Sequence, residues 1–210
     1  MSSKLIQVSH LGNQEFINKY AAPGLVGLVG GAAFIDRSIR KVQGAVFKKK
    51  EASQWSHAFI FSGKRADGHN WVLESDLEIH RKQIRIGVQE NRASKYFDAK
   101  IYPNLAILDF GLTKEKTQLV LAEGLELLAG LTTYSLRELL GTLLTAKRPV
   151  LRSKENFLAR EGSLYCSAMV QHCYAKAEII FKSGVSIKNT TPEDIAITSV
   201  PHTLYLCENK

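Results

Sequence analysis

Trp55-Ser56-His57-Ala58-Phe59-Ile60-Phe61-Ser62-Gly63, then the turn Lys64-Arg65-Ala66-Asp67-Gly68, then Asn70-Trp71-Val72-Leu73-Glu74-Ser75-Asp76, reads as a β-hairpin. Both arms have strand length, are rich in aromatic and aliphatic residues, and are bounded by polar or glycine-containing turns. A period of two puts His57, Phe59 and Phe61 on one face of the first strand, and Val72, Glu74 and Asp76 on one face of the second. A hairpin of this length can set His57 beside Glu74. Its register decides whether it does.

Working outward, Leu5, Ile6 and Val8 suggest a short strand, residues 25–31 a buried strand or a close backbone approach, Ile79, Ile84, Ile86 and Val88 further strands, and residues 105–110 and 202–206 two more. Phe34, Ile35, Ile39, Val42, Val46 and Phe47 recur at helical spacing and predict a helix over residues 33–47. Thr113 is expected to cap a helix with Leu119, Ala122, Leu125, Leu128 and Ala129 on its apolar face, closed by Gly130. A second helix is expected over residues 136–146, before Pro149, and Thr191-Pro192-Glu193-Asp194 reads as a helix start. The mixture predicts an α+β fold, a central antiparallel sheet packed against helices. Residues 1–22 are expected as an N-terminal arm and residues 23–210 as one catalytic domain.

Composition narrows the class. Of 210 residues, 45% are hydrophobic and 23% charged, the balance of a globular protein with one substantial core. No run of 18 apolar residues spans a bilayer and the start lacks the apolar stretch of a signal peptide, so the expected setting is the cytoplasm, or secretion by a route that reads no signal peptide. The net charge of +8 is only partly clustered, in Lys48-Lys49-Lys50, in Arg81, Lys82 and Arg85, and in Lys147, Arg148, Arg152 and Lys154. None of these is interleaved with aromatics in an RNA-binding pattern, so specific nucleic acid is excluded as the expected partner. An anionic envelope or membrane surface fits the charge instead.

Cys166, Cys173 and Cys207 form an odd, sparse set without a CxxC pair, which argues against disulfides and a zinc site, and no cofactor is expected. Cys166 lies in Glu161-Gly162-Ser163-Leu164-Tyr165-Cys166-Ser167-Ala168-Met169-Val170, a turn entering a helix that runs to about residue 177. With Ser163 as N-cap, Cys166 falls about three residues into that helix, where free N–H groups and the helix dipole favour a thiolate. It reads as a candidate nucleophile, or else as a small buried hydrophobe.

A nucleophilic cysteine needs a base and a group that orients the base. His172 lies six positions along the same helix, about 600° of rotation, and points away from Cys166. His10, His69, His80 and His202 fall near termini or in turns. His57 begins an otherwise hydrophobic strand, where it is either a base or a satisfied core histidine. Glu74, after Trp71-Val72-Leu73, needs a partner because an unpaired buried carboxylate is costly. Asp76 is the rival orienter, nearer the strand end.

The ordered set Ser56-His57-Ala58-Phe59-Ile60, Val72-Leu73-Glu74-Ser75, Leu164-Tyr165-Cys166-Ser167-Ala168-Met169-Val170 and Thr191-Pro192-Glu193-Asp194 resembles the circularly permuted papain-like hydrolases of the NlpC superfamily, especially the YiiX-like group. Papain-type enzymes run cysteine, histidine, polar residue; the permuted group runs histidine, glutamate, cysteine. Gly130-Leu131-Thr132-Thr133-Tyr134-Ser135-Leu136 also resembles that group, with Ser135 in place of an aspartate, and Pro23-Gly24-Leu25 stands where the group often has Pro-Gly-Asp. The resemblance implies a permuted papain-like fold and a thiol hydrolase or acyltransferase with Cys166 as nucleophile, His57 as base and Glu74 as orienter. Tyr165 and Ser167 are then candidates for the substrate or oxyanion pocket, with Tyr165 equally readable as a core aromatic. The implied substrate is a peptide amide, such as a peptidoglycan peptide met in recycling or by an antibacterial effector, or a lipid acyl group. A binding module with an inert thiol is the non-catalytic alternative.

Overall fold

A computed structural model describes residues 2–32, 34–46, 53–80, 83–130 and 165–208. The expected helix over residues 136–146, Ser163, the segment after Gly130, Lys48-Lys49-Lys50, Arg81, Lys82 and the 147–154 basic cluster lie outside the described residues.

Seven strands form one sheet: β1 (Lys4–Ser9), β2 (Val26–Gly30), β3 (His57–Lys64), β4 (Asn70–His80), β5 (Gln83–Arg92), β6 (Asn104–Asp109) and β7 (Thr203–Glu208). Their order across the sheet is β1-β7-β6-β2-β3-β4-β5. Every neighbouring pair is antiparallel except β1 with β7, which run parallel. The helices are α1 (Asn13–Tyr20), α2 (Phe34–Val46), α3 (Lys114–Ala129), α4 (Cys166–Ala175) and α5 (Pro192–Ala196). The expected α+β class is what the chain forms. Residues 1–22, expected as an arm, supply the edge strand β1 and the helix α1, whose Phe16 and Ile17 are wholly buried.

Alternation along the strands makes two cores. Val26, Leu28, Ala58, Ile60, Ala106 and Leu108 face Val120 of α3 and Ala168, Met169 and Val170 of α4. The opposite face, with Val29, Phe59, Phe61, Val72, Leu105 and Ile107, packs on Phe16 and Ile17 of α1 and on Tyr96.

Two expectations about helices are corrected. The buried face of α3 is Val120 and Gly124, while Leu119 and Leu125 are 52% and 47% exposed. This helix is apolar nearly all round, so periodicity does not select a face. Gly124 lies against β4: a Cβ there would come 2.9 Å from Leu73 Cδ1, so a larger residue would make that side chain or the helix shift. The second correction is the start of α4. Its N-cap is Tyr165, not Ser163, and Cys166 is the first residue of the helix rather than about the third. Thr113 and Thr191 cap α3 and α5 as expected, each accepting a backbone N–H.

Candidate active site

His57 opens β3 and Glu74 lies mid-way along β4. What places them together is a bulge. Near the turn the ladder pairs Lys64 with Asn70 and Gly63 with Trp71; past the bulge it pairs Phe61 with Val72 and Ile60 with Leu73. The extra residue shifts the register by one, which exchanges the faces that β3 and β4 share. By alternation from that pairing, Glu74 and Asp76 share a face of the sheet with His57 and Phe59. Without the bulge, Ser75 and Leu77 would occupy those places. Gly63, at a φ of +112°, is the residue that permits it.

The His57 ring reaches diagonally to Glu74, with Nε2 2.8 Å from Oε2. Such a diagonal is within range of long side chains on neighbouring strands. The shorter Asp76 instead accepts from Lys95 Nζ at 2.7 Å. Glu74 therefore takes the place beside His57, ahead of its rival.

Glu74 is completely buried and saturated with donors. Its Oε1 accepts from Asn91 Nδ2 at 2.8 Å and from Lys95 Nζ at 2.7 Å, and its Oε2 accepts from Tyr96 OH besides His57. Burial alone would raise its pKa, but the His57 hydrogen bond and the Lys95 charge hold it well below the usual carboxylate range. Tyr96 is itself pushed up, first by burial and then by the Glu74 charge, so its phenol stays a donor. Its ring stacks on Phe59 at 4.5 Å between centroids and 4° between planes.

On its other side His57 meets Cys166. Burial would lower the His57 pKa, but the charge of and hydrogen bond to Cys166, then the bond to Glu74 and the charge of Asp76, outweigh it and raise the pKa well above 6.5. With Nε2 bonded to Glu74, Nδ1 is the ring nitrogen left for a second hydrogen bond. Cys166 is 9% exposed, and its backbone N–H is among those at the helix start that have no partner within the helix. The three residues the sequence singled out thus meet in the order Cys166, His57, Glu74. Tyr165 and Ser167 do not join them through their hydroxyls: Tyr165 OH and Ser167 Oγ both donate to the Thr190 carbonyl, at 2.7 and 2.8 Å. Adjacent residues flanking Cys166 are tied to one backbone oxygen, which fixes the angle at which α4 begins.

The other thiols and histidines are placed elsewhere. Burial, then the Glu123 charge, pushes the Cys173 thiol up to about 12. Burial also raises Cys207. His172 pairs with Glu123 of α3 at 2.7 Å, away from Cys166 as its helical phase requires. Sequence reasoning missed Asn91, Lys95 and Tyr96. Their only signal was that a saturated buried carboxylate needs several donors, and Gln89-Glu90-Asn91 and Lys95-Tyr96 are polar where β5 ends.

No protein-family model matches the sequence, and no curated protein matches it. Among solved structures, the chain is similar to the metalloprotein YiiX from Escherichia coli O157:H7, with a TM-score of 0.51 and 12% identity over 87% of this chain and 94% of that one. The fold is YiiX-like. Among the described residues, no helix is long and apolar enough to cross a membrane.

Proposed function

We propose that this chain is a cysteine hydrolase of the permuted papain-like type that cleaves an amide bond in a peptide substrate. The observation carrying this reading is His57 held between a saturated, buried Glu74 and the Cys166 thiol. A carboxylate that cannot readily protonate keeps the imidazolium populated, and an imidazolium keeps a thiolate populated. The chain order His57, Glu74, Cys166 supports the permuted assignment over the papain order.

In the first half-reaction the Cys166 thiolate attacks the carbonyl carbon and a C–S bond forms. The displaced π pair moves onto oxygen, where the Cys166 backbone N–H stabilises it. The C–N bond then breaks, and His57 gives its proton to the departing amine. In the second, neutral His57 takes a proton from water, whose oxygen attacks the thioester carbonyl. The C–S bond breaks, releasing a carboxylic acid and restoring the thiolate-imidazolium pair. Glu74 holds the ring in one orientation throughout. Peptidoglycan peptides, encountered in the cytoplasm or as the target of an exported antibacterial effector, are the substrate class that the resemblance to NlpC-type hydrolases supports. A lipid acyl hydrolase using the same three residues is the second reading, favoured by the charge of +8.

YiiX is described as a metalloprotein, and His57, Glu74 and Asp76 bring ligand atoms within 4.8 Å of one another. The residues do not fit a bound ion. Lys95 Nζ already lies 2.7 Å from both Glu74 and Asp76, so an ammonium takes the cation position, and no step here runs through a metal.

The test is the pH dependence of Cys166 alkylation by iodoacetamide. Rapid labelling below about pH 7 that slows in His57→Ala and Glu74→Ala supports the activated pair. Labelling that rises only above about pH 8.5 and ignores His57 refutes it and leaves a binding module.

A further inference from the structure

Gln89 lies on β5 directly opposite Glu74 on β4. Facing residues of an antiparallel pair project to the same side, with Cβ atoms about 5 Å apart. Gln89 therefore lies on the His57 side of the sheet, and Asn91, two residues on, marks the same side by donating to Glu74. Gln89 is 8% exposed, and neither its Nε2 nor its Oε1 has a hydrogen-bond partner among the described residues.

A buried carboxamide with both ends unmade is unusual, because each polar end gives up water for nothing. Its neighbour cannot relieve it. Glu74 already accepts four donors, two on each oxygen, so no lone pair is left for the Gln89 amide. That free energy cost, kept next to Glu74, is recovered when a ligand brings the missing partners.

We propose that Gln89 is the substrate-recognition residue of this site, pairing its carboxamide with a peptide amide of the substrate. Nε2 donates to the C=O and Oε1 accepts the N–H of one extended substrate residue, two groups that point to the same side of a β-like strand. An ester offers the carbonyl but no N–H and leaves Oε1 buried and unpaired, a mismatch that discriminates strongly. The inference rests on the hydrolase reading and deepens it, because it selects peptide amides over lipid esters as the substrate class.

Two measurements on the full chain test it. The first is the melting temperature of ligand-free Gln89→Met, which keeps the side-chain length and removes the unpaired amide. It is expected to rise by about 2–8 °C, whereas a fall, or no change, means that the carboxamide is satisfied and overturns the proposal. The second uses two thiol-directed probes of equal length: acetyl-Ala-Ala chloromethyl ketone, and its analogue with both amides replaced by esters. Wild type is expected to be inactivated at least about ten-fold faster by the peptide, and Gln89→Met to lose most of that preference. An equal preference in both proteins, or none in wild type, overturns the proposal. The iodoacetamide profile separates the two failures: an activated Cys166 without amide preference sinks the role of Gln89 alone, and an unactivated Cys166 sinks the hydrolase reading and this one with it.

Discussion

Glu74→Gln isolates the charge at the centre of the site while keeping its shape. The wild-type carboxylate is 0% exposed and accepts from His57, Asn91, Lys95 and Tyr96. A glutamine supplies one acceptor oxygen for these donors and turns an N–H₂ towards the rest, and it leaves the Lys95 ammonium with Asp76 as its remaining acidic partner. Breaking a buried charge pair from one side costs about 3–5 kcal/mol, and for a chain of this size each kcal/mol moves the melting temperature by about 2–4 °C. The variant should therefore melt roughly 6–20 °C below wild type near neutral pH. The deficit has a pH signature. Glu74 has a depressed folded pKa, so its contribution is present above the unfolded value near ~4.3 and is lost as pH falls towards the folded one. His57 has a raised folded pKa, so its contribution is complete below about 6.5 and is lost as pH rises through the folded value. Both are present together between about pH 4.5 and 6.5, and the gap between the proteins should be widest there. Thermal unfolding by circular dichroism at half-unit steps from about pH 4.5 to 9 reads it. A variant within about 1 kcal/mol of wild type at pH 5.5, or a gap that widens steadily with pH, refutes the reasoning.

Three further outcomes follow from the geometry. Gly63→Val places a side chain at a φ of +112° with its Cβ 3.0 Å from Pro23 Cγ. It should cost about 1–3 kcal/mol in urea unfolding and slow Cys166 labelling to the His57→Ala rate, whereas an unperturbed melt would show that the bulge does not need glycine. Lys95→Met removes the ammonium between Glu74 and Asp76. Cobalt(II) added to this variant should give d–d absorption that wild type lacks, and identical spectra would refute Lys95 as the occupant of the cation position. His172→Ala, which loses a part-buried pair with Glu123, should cost about 1 kcal/mol and leave the alkylation profile unchanged; a shifted profile would refute the pairing of Cys166 with His57.

The hairpin, the capped helices and the Cys166 helix were legible because their signals are local: turn residues, period two, a threonine before a helix. His57 and Glu74 stood out for a related reason, as polar residues in strands with no room for solvated ones. The register that joins them was not legible, since it turns on one residue, Gly63, whose bulge exchanges the shared faces of β3 and β4. Gly63 was read as the end of a strand when it was a break within one. The α3 face failed for another reason: Leu119, Val120, Leu121, Leu125, Leu127 and Leu128 offer apolar surface in nearly every direction, and the face that packs is the one where Gly124 lies against Leu73. Tyr165 and Ser167 were read by proximity to Cys166 along the chain, but the carbonyl that claims them belongs to Thr190, 25 and 23 residues away. Contacts made by the fold at such distances leave no mark on a local pattern.

The parallel pairing of β1 with β7 bears on how the molecule is made. β1 has one neighbour in the sheet, and that neighbour spans Thr203–Glu208. During synthesis at about 5–20 residues per second, Leu5 and Val8 wait roughly 10–40 s for the strand that covers them. Throughout that interval β1 is a short apolar ribbon without a partner, open to pairing with another nascent chain. Lys4 at its start and its length of six residues are the two features that blunt this hazard. Assembly of the His57, Glu74 and Cys166 cluster is delayed in a similar way, because His57 and Glu74 leave the ribosome about 90 residues ahead of Cys166.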